Sequence, residues 1–130
     1  MRLIPVLVPV GEDYYALVNV WHELADYQAA TTDKNDACFI AYNLTDENDK
    51  PLSIFPCIGS VNLVKGNIDA GLVAHEFLHA AFHLAVLQDN HDEEYVCESV
   101  QEMNRNFWEA VQNSPVLYDW IYEGEYGEED

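Results

Sequence analysis

The stretch VAHEFLHAAFH, residues 73–83, contains three histidines and one glutamate among otherwise apolar residues. His75 and His79 are four residues apart, so on a helix their rings lie on one face, one turn from each other. Two imidazoles at this spacing can reach one zinc ion at about 2.0–2.1 Å each. Glu76 lies on the flank of that face, offset from the metal but placed to take a proton from a water molecule. This His-Glu-x-x-His pattern predicts a zinc site with Glu76 as its general base.

A catalytic zinc ion takes three protein ligands and leaves one position for water, so the histidine pair needs a partner. His83 lies near the same face. However, a straight helix rises about 1.5 Å per residue, which spreads the three histidines over about 12 Å. We therefore expect His83 to pack or to support the site, and treat it as an alternative ligand only. The acidic start of the next helix is the better source, because Glu93, Glu94 and Glu98 are available there.

Helical periodicity alone favours Glu93 as the inward carboxylate, because it lies closest to the apolar stripe of its helix. That stripe consists of Val96, Val100, Met103, Phe107 and Val111. Glu94 and Glu98 lie one turn apart on an adjoining face. Helical periodicity thus favours Glu93, but Glu94 stays an alternative for the third ligand.

Two long helices are predicted to hold these residues. The first runs from Ile68 to about Leu87, with Asn67 or Asp69 as its N-cap. It is apolar nearly all round and so belongs in the middle of a domain. The second runs from about Glu93 to Gln112, with Asp92 as its cap. A further helical turn or two is predicted in VLYDWIY, residues 116–122.

The first half of the chain is predicted to form strands. RLIPVLVPV, residues 2–10, is typical of an edge or starting strand because of its two prolines. Residues 14–30 are ambiguous, with helical spacing in their second half. ACFIAYNL, residues 37–44, and the run at 52–64 flank the turn TDENDKP and are expected to form a hairpin. The sequence thus predicts a single α+β domain over residues 1–130, with a mostly antiparallel sheet and an acidic tail from about 123.

The composition narrows the function classes. The chain has 24 acidic and 5 basic residues, a formal net charge of −19, and 49% hydrophobic residues. This hydrophobic fraction excludes disorder for most of the chain. Such a charge opposes direct binding to nucleic acid or to a membrane surface and favours metal cations and basic partners. Three widely spaced cysteines do not form a disulfide framework, so we expect a reducing, cytoplasmic setting.

HEFLH followed after a short loop by DEEYVCES resembles the gluzincin family of zinc metallopeptidases. The resemblance is closest to small minigluzincin-type proteins often found in bacteriophage genomes, and it covers roughly residues 57–110. It implies a zincin-like domain in which a glutamate on the helix after the signature is the third zinc ligand. On this chain that residue is Glu94, so the resemblance favours Glu94 where periodicity favours Glu93. Glu98, one turn later, would accept the other ring N–H of His75 or His79.

The resemblance also implies an activity, which is peptide-bond hydrolysis by a zinc-activated water with Glu76 as base, on a peptide or protein substrate. A strand before the signature lines the substrate cleft in this family, and residues 59–63 occupy that place, where they are expected to hold an extended peptide by edge pairing. No tyrosine among Tyr95, Tyr118 and Tyr122 is singled out as an oxyanion donor.

Two other functions stay open. One is a catalytically inactive domain that zinc stabilises. The other is an acidic phage accessory protein that imitates DNA for a basic partner. If the chain is phage-encoded, the host cytoplasm is its setting.

Overall fold

The computed structural model describes residues 2–42 and 56–123. The predicted turn at 45–51, the first part of the run at 52–64 and most of the acidic tail lie outside these residues. The elements are β1 (Leu3–Val10), β2 (Tyr14–Trp21), α1 (Leu24–Thr31), β3 (Ala37–Ala41), β4 (Cys57–Val64), α2 (Ala70–Leu87), α3 (Glu93–Gln112) and α4 (Pro115–Tyr118), followed by a π-helical turn (Asp119–Glu123). The α+β class predicted from the sequence is therefore confirmed.

The four described strands form one mixed sheet in the order β1-β2-β4-β3. β1 pairs antiparallel with β2, and β3 pairs antiparallel with β4, which confirms both the mostly antiparallel sheet and the pairing of the two runs around the predicted turn. β1 lies at one edge, as its prolines predict. β2 and β4 are parallel, which the sequence did not predict. Their connection carries α1 and β3, long enough for the crossover that a parallel pair requires.

β4 lies inside the sheet, so the expectation that residues 59–63 hold a peptide by edge pairing is wrong. Both of its edges are occupied, by β2 on one side and by β3 on the other. Nearly the whole strand is buried, which is typical of a strand that lies inside a sheet and is covered on both faces. Within the described residues, the sheet edge on this side is β3.

α2 and α3 cover one face of the sheet and close a common core with it. Val73, Phe77 and Leu84 of α2 are fully buried, and the rings of Phe77 and Phe107 meet edge to face at 5.9 Å. The apolar stripe predicted on α3 is confirmed: Val96, Met103, Phe107 and Val111 are buried, and Val100 is half-buried against them. This packing brings α2 into the middle of the domain, as its apolar character predicts.

Both long helices begin at side-chain caps. Asp69 accepts a hydrogen bond from the backbone N–H of Leu72 at 2.8 Å, so α2 begins at Ala70 and Asp69 is its cap rather than Asn67. Asp92 accepts from the N–H of Glu94 at 3.2 Å, which confirms the predicted start of α3. These bonds satisfy amide groups that a helix start leaves without partners.

α2 is also the one helix in the described residues that is long and apolar enough to cross a membrane, with a mean hydropathy of 1.4. Length and composition are weak evidence, because the core helix of a soluble protein meets the same criteria. Here one face of α2 is buried against the sheet and α3, so its apolar character is consistent with a soluble protein.

Asn62 is a buried polar residue in the centre of the sheet. Its Oδ1 accepts hydrogen bonds from Asn19 Nδ2 and Trp21 Nε1, both at 3.2 Å, and its Nδ2 donates to Ser60 Oγ at 3.0 Å. A shift of β4 against β2 would leave these buried groups without partners, which is costly. The network therefore fixes the register of the parallel pair.

Gly59 allows β3 to approach β4 closely, and its replacement by alanine tests this contact. A Cβ at Gly59 would lie 2.6 Å from the ring of Phe39 and closer still to the carbonyl oxygen of Ile40, and the φ of +155° is strained for other residues. We expect Gly59→Ala to lower the free energy of unfolding by about 3 kcal/mol in urea denaturation. Gly11→Ala is the control: its φ is also positive but its Cβ meets no atom within 4 Å, so an equal loss in both variants would contradict the close-approach explanation.

Candidate metal centre

His75 and His79 face each other on the outer side of α2. Their Nε2 atoms are 3.3 Å apart, and the rings stand nearly perpendicular, at 81°. Two nitrogen ligands of a tetrahedral zinc ion with bonds of about 2.0–2.1 Å are about 3.3–3.4 Å apart. Both side chains are exposed. The pair thus has the donor type and the nitrogen separation that zinc requires of two ligands.

Glu76 is buried beside this pair, with only 5% of its surface exposed. Burial raises the pKa of its carboxyl group above the ordinary value, and the positive potential of His75 and His79 offsets part of that rise. A desolvated carboxylate holds a proton more strongly than an exposed one. Glu76 therefore has the location and the raised basicity that a general base needs.

An open cavity of about 500 Å³ joins these residues to the sheet edge. Its walls are formed by α2 on one side and by β3 and the loop before it on the other. It is lined by Asp33, Asn35, Ala37, Cys38, Phe39, Ala41, His75, Glu76, His79 and His83. The volume lies in the range of small-molecule and peptide sites.

His83 lines the same cavity but is bonded to the neighbouring strand. Its Nε2 donates to the carbonyl oxygen of Tyr42 at 2.9 Å, and its ring lies 6.0 Å from that of Phe39. A nitrogen that donates its proton in this way is not a free metal ligand. This agrees with the expectation that His83 packs and supports the site.

The acidic start of α3 lies at a different level from the histidine pair. Glu93 and Glu94 are both exposed, but Glu93 lines a groove between the two helices together with Val86 near the end of α2, and Glu94 does not. Val86 is seven residues beyond His79, which is about 10 Å along a helix. Within residues 2–42 and 56–123, no three His, Cys, Asp or Glu side chains are grouped so that they could hold one metal ion.

The structure thus brings His75, His79 and Glu76 together and leaves the third ligand as a prediction. Glu93 faces the helix partner, as the periodicity of α3 suggests. Glu98 is exposed, and no hydrogen bond joins it to a histidine in the described part of the chain.

Sequence reasoning missed Asp33, which lines the cavity from the loop between α1 and β3. Its Oδ2 accepts a 2.5 Å hydrogen bond from the hydroxyl of Tyr27, which is fully buried. Asp33 and Glu76 line the same cavity, and the charge of Asp33 adds a smaller part, after burial, to the raised pKa of Glu76. The only sequence signal was an acidic residue in the loop just before a strand, which is common in loops and does not identify a site.

Other polar candidates lie away from this cavity. None of the three tyrosines considered as oxyanion donors lines it; Tyr118 and Tyr122 stack on each other at 4.6 Å instead. His91 and Cys97 line the groove between α2 and α3. Neither residue lines the cavity of the histidine pair.

Burial of Glu76 has a cost for stability that can be measured. Burial raises the pKa of the Glu76 carboxyl group in the folded state. The protonated group therefore favours the folded state below its pKa in the unfolded chain, and this contribution is lost as pH rises through its pKa in the folded state. We therefore expect Glu76→Gln to raise the melting temperature of the metal-free protein at pH 7, with the gain shrinking towards pH 4. Glu109→Gln, on the exposed side of α3, serves as the control. An unchanged or lowered melting temperature at pH 7 would contradict the desolvation of Glu76.

Comparison of the chain with protein-family models, with curated proteins and with solved structures finds no match.

Proposed function

We propose that this protein is a zinc-dependent metallopeptidase that hydrolyses peptide bonds in the cytoplasm. The observation that carries the proposal is the 3.3 Å separation of the His75 and His79 Nε2 atoms on α2. Glu76, the residue after His75, is a buried carboxylate in the same cavity. The resemblance of HEFLH and DEEYVCES to gluzincins supports the same activity.

Zinc, when bound, supplies a Lewis acid that polarises a carbonyl group and lowers the pKa of water to about 7. His75 and His79 would hold it through their Nε2 atoms. Glu76 accepts a proton from water at its carboxylate and delivers it to the leaving amine. Its burial supports both transfers, since a carboxylate with raised pKa releases the proton less readily to solvent and retains it for the amine.

The edge of β3 supports a peptide substrate. Where β3 pairs with β4, the N–H of Tyr42 donates to the carbonyl oxygen of Ile58. Every second residue counted back from Tyr42 therefore directs its backbone N–H and C=O groups towards β4. Those between them, Phe39 and Ala41 among them, direct their backbone N–H and C=O groups away from β4. Both of these residues line the cavity of the histidine pair. An extended peptide that adds to this edge would run beside the metal ligands.

Glu94 is proposed as the third ligand on the strength of the gluzincin resemblance, and Glu93 is the alternative. Zinc titration separates them. We expect Glu94→Gln to weaken zinc binding at least tenfold, because a ligand is lost, and Glu93→Gln to change it by less than threefold. The reverse order would assign the ligand to Glu93, and equal wild-type affinity in both would remove α3 from the metal site.

The activity is tested on the zinc-loaded protein with a mass-spectrometric peptide library. We expect His79→Ala to lose stoichiometric zinc, and Glu76→Gln to keep zinc while hydrolysis falls by about 10²–10⁴-fold. His91→Ala, a histidine outside the cavity, controls for removal of an imidazole. Unchanged zinc content in His79→Ala, or wild-type cleavage by Glu76→Gln, would overturn the proposal.

Two outcomes favour the alternative functions. Stoichiometric zinc without hydrolysis, together with unfolding by a chelator, would indicate a catalytically inactive domain that the metal stabilises. Absence of zinc binding, together with strongly salt-dependent binding to a basic protein, would indicate an acidic DNA-mimic-like protein.

A further inference from the structure

The cavity beside the histidine pair contains a carboxylate that the proposed hydrolysis does not use. Among the residues lining it are two acids, Glu76 and Asp33, and no lysine or arginine. Glu76 is assigned to proton transfer. Asp33 is therefore a second negative charge that faces the groove in which a peptide would lie.

Asp33 is held in place by contacts on several sides. The buried hydroxyl of Tyr27 donates to its Oδ2, and its own backbone N–H donates to Thr31 Oγ1 at 3.2 Å. Gln28 Nε2 donates to the carbonyl oxygen of Lys34, the next residue, at 3.1 Å. Thr32 turns the chain in the left-handed region, at φ 57°. The carboxylate is thus fixed to α1 before any ligand arrives, which lowers the entropy lost on binding.

The site has further features of a cation-binding position. Tyr27 occupies Oδ2, which leaves Oδ1 of Asp33 for a ligand, and Asn35 lines the same cavity with an amide whose oxygen can accept a hydrogen bond. Glu76 is more than nine-tenths buried in this cavity and receives no hydrogen bond from the described residues. Lys34 is exposed and its side chain is not part of the lining, so among residues 2–42 and 56–123 no lysine or arginine faces Asp33 in the cavity.

We propose that Asp33 makes this site selective for peptides with a lysine or arginine close to the scissile bond, and that Tyr27 positions its carboxylate for that contact. The inference rests on the proposed peptidase function. Asp33 lies in the loop that leads into β3, so a peptide added to that edge passes both the histidine pair and Asp33. A carboxylate that is held by one donor and open on its other oxygen binds an ammonium or guanidinium group through charge-assisted hydrogen bonds.

The test uses internally quenched fluorogenic peptides of one sequence, in which each position in turn carries lysine or its neutral analogue norleucine. We expect wild-type zinc-loaded protein to prefer lysine at one position by about tenfold in kcat/KM, a size suited to a partly exposed charge pair. In Asp33→Asn, which keeps an acceptor for Tyr27 but removes the charge, the preference should fall below about twofold. Zinc content should stay unchanged, and the kcat/KM for the norleucine peptide is the reference against which the lysine preference of each variant is calculated.

Tyr27→Phe separates positioning from charge, because it keeps the carboxylate and removes the bond that holds it. We expect an intermediate preference, with the loss in KM rather than in kcat. Asp13→Asn, in the turn between β1 and β2 and outside the cavity, changes the net charge equally and should keep the full preference. Loss of the preference in Asp13→Asn as well would show a general charge effect and overturn the inference.

Failure of the recognition and failure of the peptidase function are distinguishable. Equilibrium binding of the same peptides to the Glu76→Gln protein, by fluorescence anisotropy, needs no cleavage. If the wild type cleaves peptides with a preference that Asp33→Asn leaves intact, the inference falls and the function stands. If nothing is cleaved but lysine peptides bind in an Asp33-dependent way, the recognition stands and the function falls. Loss of zinc in Asp33→Asn would make Asp33 a metal ligand and would overturn its role in selectivity.

Discussion

The burial of one face of α2 is the constraint on which the rest of this structure depends. Val73, Phe77 and Leu84 are fully buried against the sheet and α3, and this fixes the rotation of the helix about its axis. Successive residues turn by about 100°, so His75 and His79 emerge on the outer side while Glu76 sits at the boundary of the core. The exposed donor pair and the desolvated carboxylate are therefore two consequences of one packing arrangement. Burial, the largest cause of the raised pKa of Glu76, follows from this packing.

The same helical geometry sets two separate conditions on a ligand from α3. Its side chain must face α2, and it must lie at the level of the histidines. In an antiparallel pair joined by a short break, residues equally distant from the break lie side by side, so His79 is level with the region of Val100 rather than with the first turn of α3. Glu93 meets the first condition, since it lines the groove between the helices. A ligand from the first turn of α3 therefore meets the first condition more readily than the second.

Most of the fold could be predicted from the sequence, because the signals that decide it are local. Local patterns, together with the caps Asp69 and Asp92, locate β1, β3, β4 and both long helices, whereas residues 14–30, which form β2 and α1, stayed ambiguous. The parallel pairing of β2 with β4 depends on how distant segments meet, and no local pattern records it. The error over residues 59–63 has the same origin: an apolar run identifies a strand, but only the strand order shows whether it lies at an edge.

The residues of the candidate site also divide into those that the sequence could predict and those that it could not. His75, Glu76 and His79 could be found because their spacing on one helix is itself the geometry of the site. Asp33 could not, because its relation to the histidines is created by the packing of β3, into which its loop leads, against α2, more than 40 residues away in sequence. Its role is visible only once the fully buried Tyr27 is seen to hold it.

This cavity gives the strongly acidic composition a structural interpretation. A net charge of −19 spread over the surface attracts cations from a distance, but it is screened within about 8–10 Å at physiological salt and cannot by itself select one substrate from another. Selection between substrates requires a charge that is held in a fixed position and that a ligand can reach from few directions. Asp33 has both properties, since it is hydrogen-bonded from beneath by Tyr27 and faces the groove beside the histidine pair. Under the proposed selectivity, the surface charge would raise the rate at which basic peptides arrive, and Asp33 would determine which residue of such a peptide binds beside Glu76.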